Sequence, residues 1–139
     1  MAEPDCLFCG IVAGSVPSAT IDSDARTVAF MDIDPATPGH ALVVPRSHSV
    51  DLMEIDSEDL FATMIAAQRL ARRMQEVLDA DGINLINACG AAASQTVFHF
   101  HIHVVPRYQG DPIELPWIPE PGDPDEIAAI AARLRGDDG

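Results

Sequence analysis

The chain has 139 residues, 47% of them hydrophobic and 22% charged, which is ordinary usage for a single globular domain. Twenty-two acids against eight bases give a formal charge of −14. That balance lacks the basic footprint of a non-specific nucleic-acid binder, although a small anionic ligand held by local groups stays compatible with it. No apolar run approaches the roughly 20 residues of a membrane helix. The acidic opening Met1–Asp5 lacks the basic-then-apolar pattern of a signal peptide, so a soluble cytoplasmic protein with no membrane partner is the expectation.

Residues 6–13, CLFCGIVA, carry apolar side chains at near-helical spacing and predict a short helix that stops near Gly14. Residues 18–21 predict a short strand. Thr27 to Met31 is rich in β-branched and aromatic residues and predicts another. The run Asp34-Pro35-Ala36-Thr37-Pro38-Gly39 is a turn, punctuated by two prolines and a glycine. A strand over 40–44, halted by Pro45, would pair with 27–31 as a hairpin.

A long helix is predicted over 57–80. Leu60, Met64, Ala67, Ala71, Met74 and Leu78 recur every three or four residues as its apolar stripe. Asp56 or Ser57 suits its N-cap, and Gly82 suits a left-handed stop. Residues 83–87 predict a strand and 88–95 a loop of small residues. Residues 96–105 predict a further strand. Beyond Pro106 the chain is proline-rich and acidic: Glu120, Asp123, Asp125, Glu126, Asp137 and Asp138 face only Arg133 and Arg135. A short helix over 124–134 fits there.

The strand predicted over 96–105 carries the chemistry. Successive side chains on a strand point to opposite faces, so Phe98, Phe100, Ile102 and Val104 share one face, and His99, His101 and His103 the other. One histidine on a strand is usually a hydrogen-bonded filler, and two often make a metal site. Three in register, backed by an apolar alternate face, call for another explanation. Neutral imidazole is a nucleophile near neutral pH. It can attack phosphorus and split one hard step into two, while flanking imidazoles hydrogen-bond the phosphoryl oxygens.

The pattern at 99–105 resembles the signature of the histidine triad (HIT) family. The similarity runs from about Cys6 to Arg107. It takes in Ala29–Ile33, the turn Pro35–His40, Leu42–Arg46, Asn87, and the run Gln95–Phe98 before the histidines. It is nearest to the Hint-like bacterial branch. The resemblance implies an α+β, HIT-like fold: an antiparallel sheet with one long helix and a short N-terminal helix, usually a homodimer. It places a HIT domain over residues 1–110, followed by an acidic, proline-rich extension with a short helix over 111–139. That extension, with Trp117, departs from the short Hint ending and leaves substrate preference open.

The resemblance also implies the site. His101, the middle histidine, is the nucleophile; His99 and His103 flank it, and His40 is the fourth histidine of the motif. Thr96, Gln95 and Asn87 correspond to polar contacts around the phosphate, and Asp32 to the acid that binds ribose hydroxyls. Leu7, Phe8, Ile11, Phe30 and Ile33 would form the purine slot. Taken singly, Asp32 reads as a turn residue, Thr96 as a β-former and the apolar residues as core.

The implied activity is hydrolysis or transfer at the α-phosphate of purine nucleoside phosphate derivatives, such as adenosine phosphoramidates or dinucleoside polyphosphates, through a nucleotidyl-histidine and without an organic cofactor. Two rival readings are a zinc-dependent hydrolase using the histidine row and a nucleotide-binding protein without turnover. No acid within the triad strand serves as the base that the first of these would need.

Three cysteines, an odd number, argue against a disulfide scaffold. Cys6 and Cys9 have the spacing of half a zinc site, or are two reduced thiols; a redox pair would more usually follow a first strand. By resemblance to bacterial HIT proteins that open with a similar pair, a structural zinc would take Cys6, Cys9, His48 and His99. His99 is then contested between metal and phosphate.

Overall fold

The computed structural model describes residues 3–114 and 116–137; Met1, Ala2, Leu115, Gly139 and Asp138 of the acidic tail lie outside them. Helix α1 (Leu7–Ala13) is followed by strands β1 (Thr20–Ser23), β2 (Thr27–Met31) and β3 (Ala41–Pro45). Then come helix α2 (Ser57–Leu78), strands β4 (Gly82–Ile86) and β5 (Ile102–Arg107), and helix α3 (Pro124–Arg135). The five strands form one antiparallel sheet in the order β1-β2-β3-β5-β4. The fold is α+β, an antiparallel sheet with one long helix and a short N-terminal helix, as expected. No helix among the described residues is long and apolar enough to cross a membrane.

The period-two rule divides the sheet into two working faces. Ala29, Ala41, Val43, Ile102 and Val104 point to one face and pack with Ala66, Ala67, Leu70 and Met74 of α2. Val28, Phe30, Leu42 and Val44 point to the other and pack with Phe8 of α1. Strands buried on both faces read as continuous apolar runs, which is why β2 and β3 are legible in the sequence.

Helix α1 begins at Cys6, whose Sγ accepts the amide of Cys9, and ends at Gly14 in the left-handed region. Asp56 caps α2, as expected, but the helix stops at Asp79 (φ 53°), three residues before Gly82. Gly82 instead opens β4, so the left-handed position falls on an aspartate, one of the few residues besides glycine that tolerate it. The buried stripe of α2 is also rotated from the one predicted. Thr63, Ala66, Ala67, Leu70 and Met74 are buried, whereas Met64 and Leu78 are 45% and 42% exposed. Small Ala66 and Ala67 let the helix approach the sheet, and the bulkier flank is left outward.

The largest departure is in the histidine segment. Residues 96–101 are not strand; β5 starts at Ile102, and Phe98 is exposed instead of sharing the face of Phe100, Ile102 and Val104. The reason lies in β3. Arg46 donates its amide to Arg26 on the β2 side, so Pro45 faces β5. A proline has no N–H to give. Its carbonyl accepts from the His99 ring at 2.8 Å, and the Phe100 amide turns to the Ser49 carbonyl at 2.7 Å. The β3–β5 ladder therefore runs only from Ala41↔Val104 to Val43↔Ile102.

The β2–β3 turn is held against the end of β5. Thr37 Oγ1 donates to the Pro106 carbonyl at 2.6 Å, and Tyr108 Oη donates to the Pro38 carbonyl at 2.7 Å. Gly39 has φ 98°, and a Cβ there would lie 2.5 Å from Leu78 Cδ1 and 3.1 Å from Pro106 Cγ. Gly14 has φ 82° but open space around it. Gly14→Ala should therefore cost only the backbone term of about 1–2 kcal/mol. Gly39→Ala should cost clearly more, measured by chemical unfolding; equal losses would contradict the close approach.

Candidate functional site

Between α1 and the end of the sheet lies a cleft of about 400 Å³. Its apolar wall includes Leu7, Phe8, Ile11, Phe30 and Ile33, the five residues expected there, together with Met31, Leu42 and Val97, and its polar wall includes Asp32, Thr96, His101 and His103. Phe8 is the hinge between the parts. Its ring meets Phe30 at 5.4 Å and His101 at 5.0 Å between centroids, both edge-on. The segment Val16–Ser18 and Ser94 also line the cleft. The sequence offered no motif for the first; the left-handed φ of 74° at Ser94 marks a loop folded tightly towards the site.

The three histidines do not form one row. His101 and His103 face the cleft with ring centroids 5.0 Å apart. His101 Nδ1–H donates to the His99 carbonyl at 2.7 Å, since a carbonyl can only accept. In neutral imidazole that leaves Nε2 as a lone pair. Burial lowers the pKa of His101, which keeps the ring neutral. Burial, with the neighbouring His101 and His40 rings, pushes His103 down to about 4. His40 is likewise lowered by burial, against an opposing pull from Asp32.

His40 and Asp32 flank the β2–β3 turn and meet His103 across it. His40 Nε2 is 2.9 Å from His103 Nδ1, and His40 Nδ1 accepts the Ala36 amide at 2.9 Å. Asp32 Oδ2 lies 3.4 Å from His40 Nε2 and 3.8 Å from His103 Nδ1.

Two expected phosphate contacts act from behind. Asn87 Nδ2 donates to the His101 carbonyl at 2.9 Å. Gln95 is buried with its amide fully engaged: Oε1 accepts from Gly90, and Nε2 donates to the Val50 and Val97 carbonyls. Neither is among the residues that line the cleft. They fix the backbone on which His101 and Thr96 stand.

His99 is fully buried and turns to the cysteines. Its Nε2–H donates to Pro45, so Nδ1 carries the lone pair. Cys6 Sγ and Cys9 Sγ lie 3.3 Å and 3.5 Å from it, and Cys9 Sγ lies 3.4 Å from His48 Nδ1. All four donor atoms fall within 4.8 Å of one another. Tetrahedral zinc with ordinary Zn–S and Zn–N bonds would place neighbouring S and N donors about 3.5 Å apart, close to the three S–N separations given above, so the donor set suits that ion. All four positions are protein donors, which is the closed form of a structural site and leaves no place for a reacting water.

The histidines give a pH signature. His99 and His103 sit near 4, and His40 and His101 are lowered, all first by burial; in the unfolded chain they take protons near 6.5. Each folded-state value lies below the unfolded one, so the unfolded state binds more protons as pH falls. Stability should be full above about 6.5 and decline from there towards 4. Thermal unfolding midpoints should drop between about pH 7 and 5, and His103→Gln should show a smaller drop. A midpoint independent of pH over that interval would contradict the buried neutral rings.

Residues 13–110 match the HIT domain family. The protein Hit of Bacillus subtilis (strain 168) is 35% identical over 133 residues, covering 94% of this chain and 92% of that protein. A zinc-bound histidine triad family protein from Mycobacterium smegmatis superposes with a TM-score of 0.77 at 39% identity, covering 95% of this chain and 96% of that one. A histidine triad nucleotide-binding protein from Candida albicans superposes at 0.83 with 25% identity, covering 96% of each.

Proposed function

The chain belongs to the HIT family, and on that footing we propose that it is a nucleotide hydrolase or transferase in which His101 attacks the α-phosphorus of a purine nucleoside 5′-phosphate derivative. The observation that carries the reading is the bond from His101 Nδ1–H to the His99 carbonyl, which leaves a neutral Nε2 lone pair on a ring that lines the cleft. Family membership supports nucleotide binding and hydrolase-type chemistry, and the C. albicans protein is a nucleotide-binding one.

The purine enters the slot of Leu7, Phe8, Ile11, Phe30 and Ile33, and Asp32 takes the ribose hydroxyls. The phosphate lies against His101, His103 and Thr96. His101 Nε2 forms a bond to phosphorus as the bond to the leaving group breaks, and the leaving group takes a proton from the neighbouring His103, which recovers one from the attacking water in the second step. Water, or another acceptor, then breaks the P–N bond and releases the nucleotide. Neutral donors stabilise the charge that builds on the phosphoryl oxygens. His99 serves the metal and positions His101 through its carbonyl. Zinc at Cys6, Cys9, His48 and His99 pins α1 to the sheet, and the closed donor set favours this over a zinc-dependent hydrolase.

Among the described residues edge strand β4 has no strand paired on one side, and Leu85 and Ile86 are half exposed beside an apolar groove that includes Leu60 and Met64. A second copy is the occupant we assign to this face, making the protein a homodimer. Ile86→Arg should convert it to monomer in sedimentation equilibrium; a wild-type chain that is already monomeric would overturn the assignment.

His101→Ala should reduce hydrolysis of an adenosine phosphoramidate by more than about a thousandfold, as loss of a nucleophile does. Wild-type protein quenched during turnover should carry one nucleotidyl group on His101 by mass spectrometry. Near-wild-type activity in His101→Ala would overturn the mechanism. Protein purified without chelator should hold about one zinc per chain, and Cys9→Ser well below that. Zinc far below one in the wild type would remove the metal from the account.

A further inference from the structure

The loop of small residues before β5 turns its backbone donors inward. Gly90 N–H donates to Gln95 Oε1 at 2.8 Å, Ala93 and Gln95 donate to the Gly90 carbonyl at 3.0 and 3.1 Å, and Ser94 donates to the Ala91 carbonyl at 3.0 Å. An amide has one proton, so these four amides have none left for a ligand. What this stretch of the loop can present to the cleft is side chains.

Gln95 decides which side chains those are. It is buried, and its Nε2 holds the Val50 and Val97 carbonyls at 2.8 and 3.1 Å. With residue 95 pinned inward, its two neighbours, Ser94 and Thr96, both line the cleft, as do His101 and His103. Thr96 meets the phosphate in the function proposed above. Ser94 has no part in it.

The backbone of Ser94 is strained. Its φ of 74° and ψ of 24° are left-handed, and among the described residues other than glycine only Asp79 shares a positive φ. Aspartate is one of the types that visit this region; serine is not. The loop needs this conformation at residue 94, where the chain leaves the 3₁₀ turn Ala91–Ala93 while the amide closes on Ala91. Glycine would meet the need without strain. Serine meets it with strain and adds one group, a hydroxyl on the cleft wall. Strain retained where a side chain faces a cleft points to use of that side chain.

Among the described residues no lysine or arginine lines the cleft, so a phosphate there depends on neutral donors. A neutral donor that meets a charged oxygen makes one of the stronger hydrogen bonds. We propose that Ser94 is a substrate-binding residue: its hydroxyl donates to a phosphoryl oxygen of the bound nucleotide, beside Thr96, at the expense of loop stability. Such a contact presupposes the nucleotide cleft proposed above and adds to it a phosphate donor that glycine at this position would lack.

Titration calorimetry on the full-length protein, with adenosine 5′-monophosphate and adenosine as probes, tests the contact in Ser94→Ala and Ser94→Gly. Both variants should bind the monophosphate about tenfold more weakly than wild type, the effect of one hydrogen bond to a charged group, and should bind adenosine as wild type does. Thermal unfolding should separate the two: Ser94→Gly should raise Tm by about 2–4 °C, and Ser94→Ala, still left-handed, should not. A serine that only shaped the loop would not give a variant that is more stable and selectively poorer at holding phosphate. Monophosphate affinity unchanged in Ser94→Ala, an equal loss for adenosine, or no gain in stability in Ser94→Gly would overturn the assignment of Ser94 and leave the nucleotide cleft standing. Wild-type protein that binds neither probe would overturn the nucleotide cleft, and this contact with it.

Discussion

The site depends on how one buried imidazole distributes its contacts. His99 has no exposed surface, and both of its nitrogens are committed. Nε2–H closes the gap left by Pro45 in the β3–β5 ladder, and Nδ1 faces the two thiols that begin α1. Its backbone carbonyl then takes the Nδ1–H of His101. A buried polar ring is costly unless each polar atom finds a partner, and here each partner belongs to a different part of the fold. The interruption in the sheet, the docking of the first helix and the orientation of the candidate nucleophile are thus one arrangement. No buried side-chain nitrogen or oxygen among the described residues lacks a partner.

The sheet supplies the frame for that arrangement by keeping its two faces separate. Its α2 face is apolar apart from the buried hydroxyls of Thr27 and Thr63, and tightly packed through Ala41, Val43 and Val104 among others. The opposite face begins apolar, under α1, and becomes polar where β5 carries His103 opposite Leu42. The strand register therefore sets His103 at the boundary between the Phe8–Phe30 slot and the β2–β3 turn. A shift by one residue would turn His103 into the α2 core and Val104 into the cleft. Because the α2 face cannot accept an imidazole without cost, packing on the far side of the sheet enforces the chemistry on the near side.

Much of this was legible in the sequence because it depends on local signals. The bounds of β2, the Gly14 stop and the Asp56 cap follow from side-chain type and spacing. What was not legible depends on partners far along the chain. The histidine alternation is real in the sequence, yet His99 and His101 precede β5, because Pro45 faces that strand and offers no donor. Only the pairing partner reveals this. The stripe of α2 was misplaced because the apolar arc is wider than the sheet it meets, and small alanines decide which part is buried. Asn87 and Gln95 were found as polar residues near the site, but side-chain type does not say whether an amide faces a ligand or braces a backbone.

The charge distribution explains why ring orientation matters so much here. The chain carries −14 and has no lysine, so its eight bases are all arginines. None of them lines the cleft among the described residues. Arg26 and Arg69 are spent on Asp22, Asp24, Glu58 and Asp59, and Arg107 clamps Asp111 after β5. A phosphate in this cleft would meet two carboxylates, Asp32 and Asp34, and no permanent cation among the described residues. Its charge would have to be met by neutral donors: an imidazole N–H, the Thr96 hydroxyl and backbone amides. A cation attracts an anion from any direction, but a neutral donor works only along its N–H or O–H bond and gives nothing if its lone pair faces the anion. Electrostatics in such a site becomes a matter of tautomers. The bonds that hold proton positions, from His99 to His101 and from Ala36 through His40 to His103, then do the task that arginines perform in other phosphate sites.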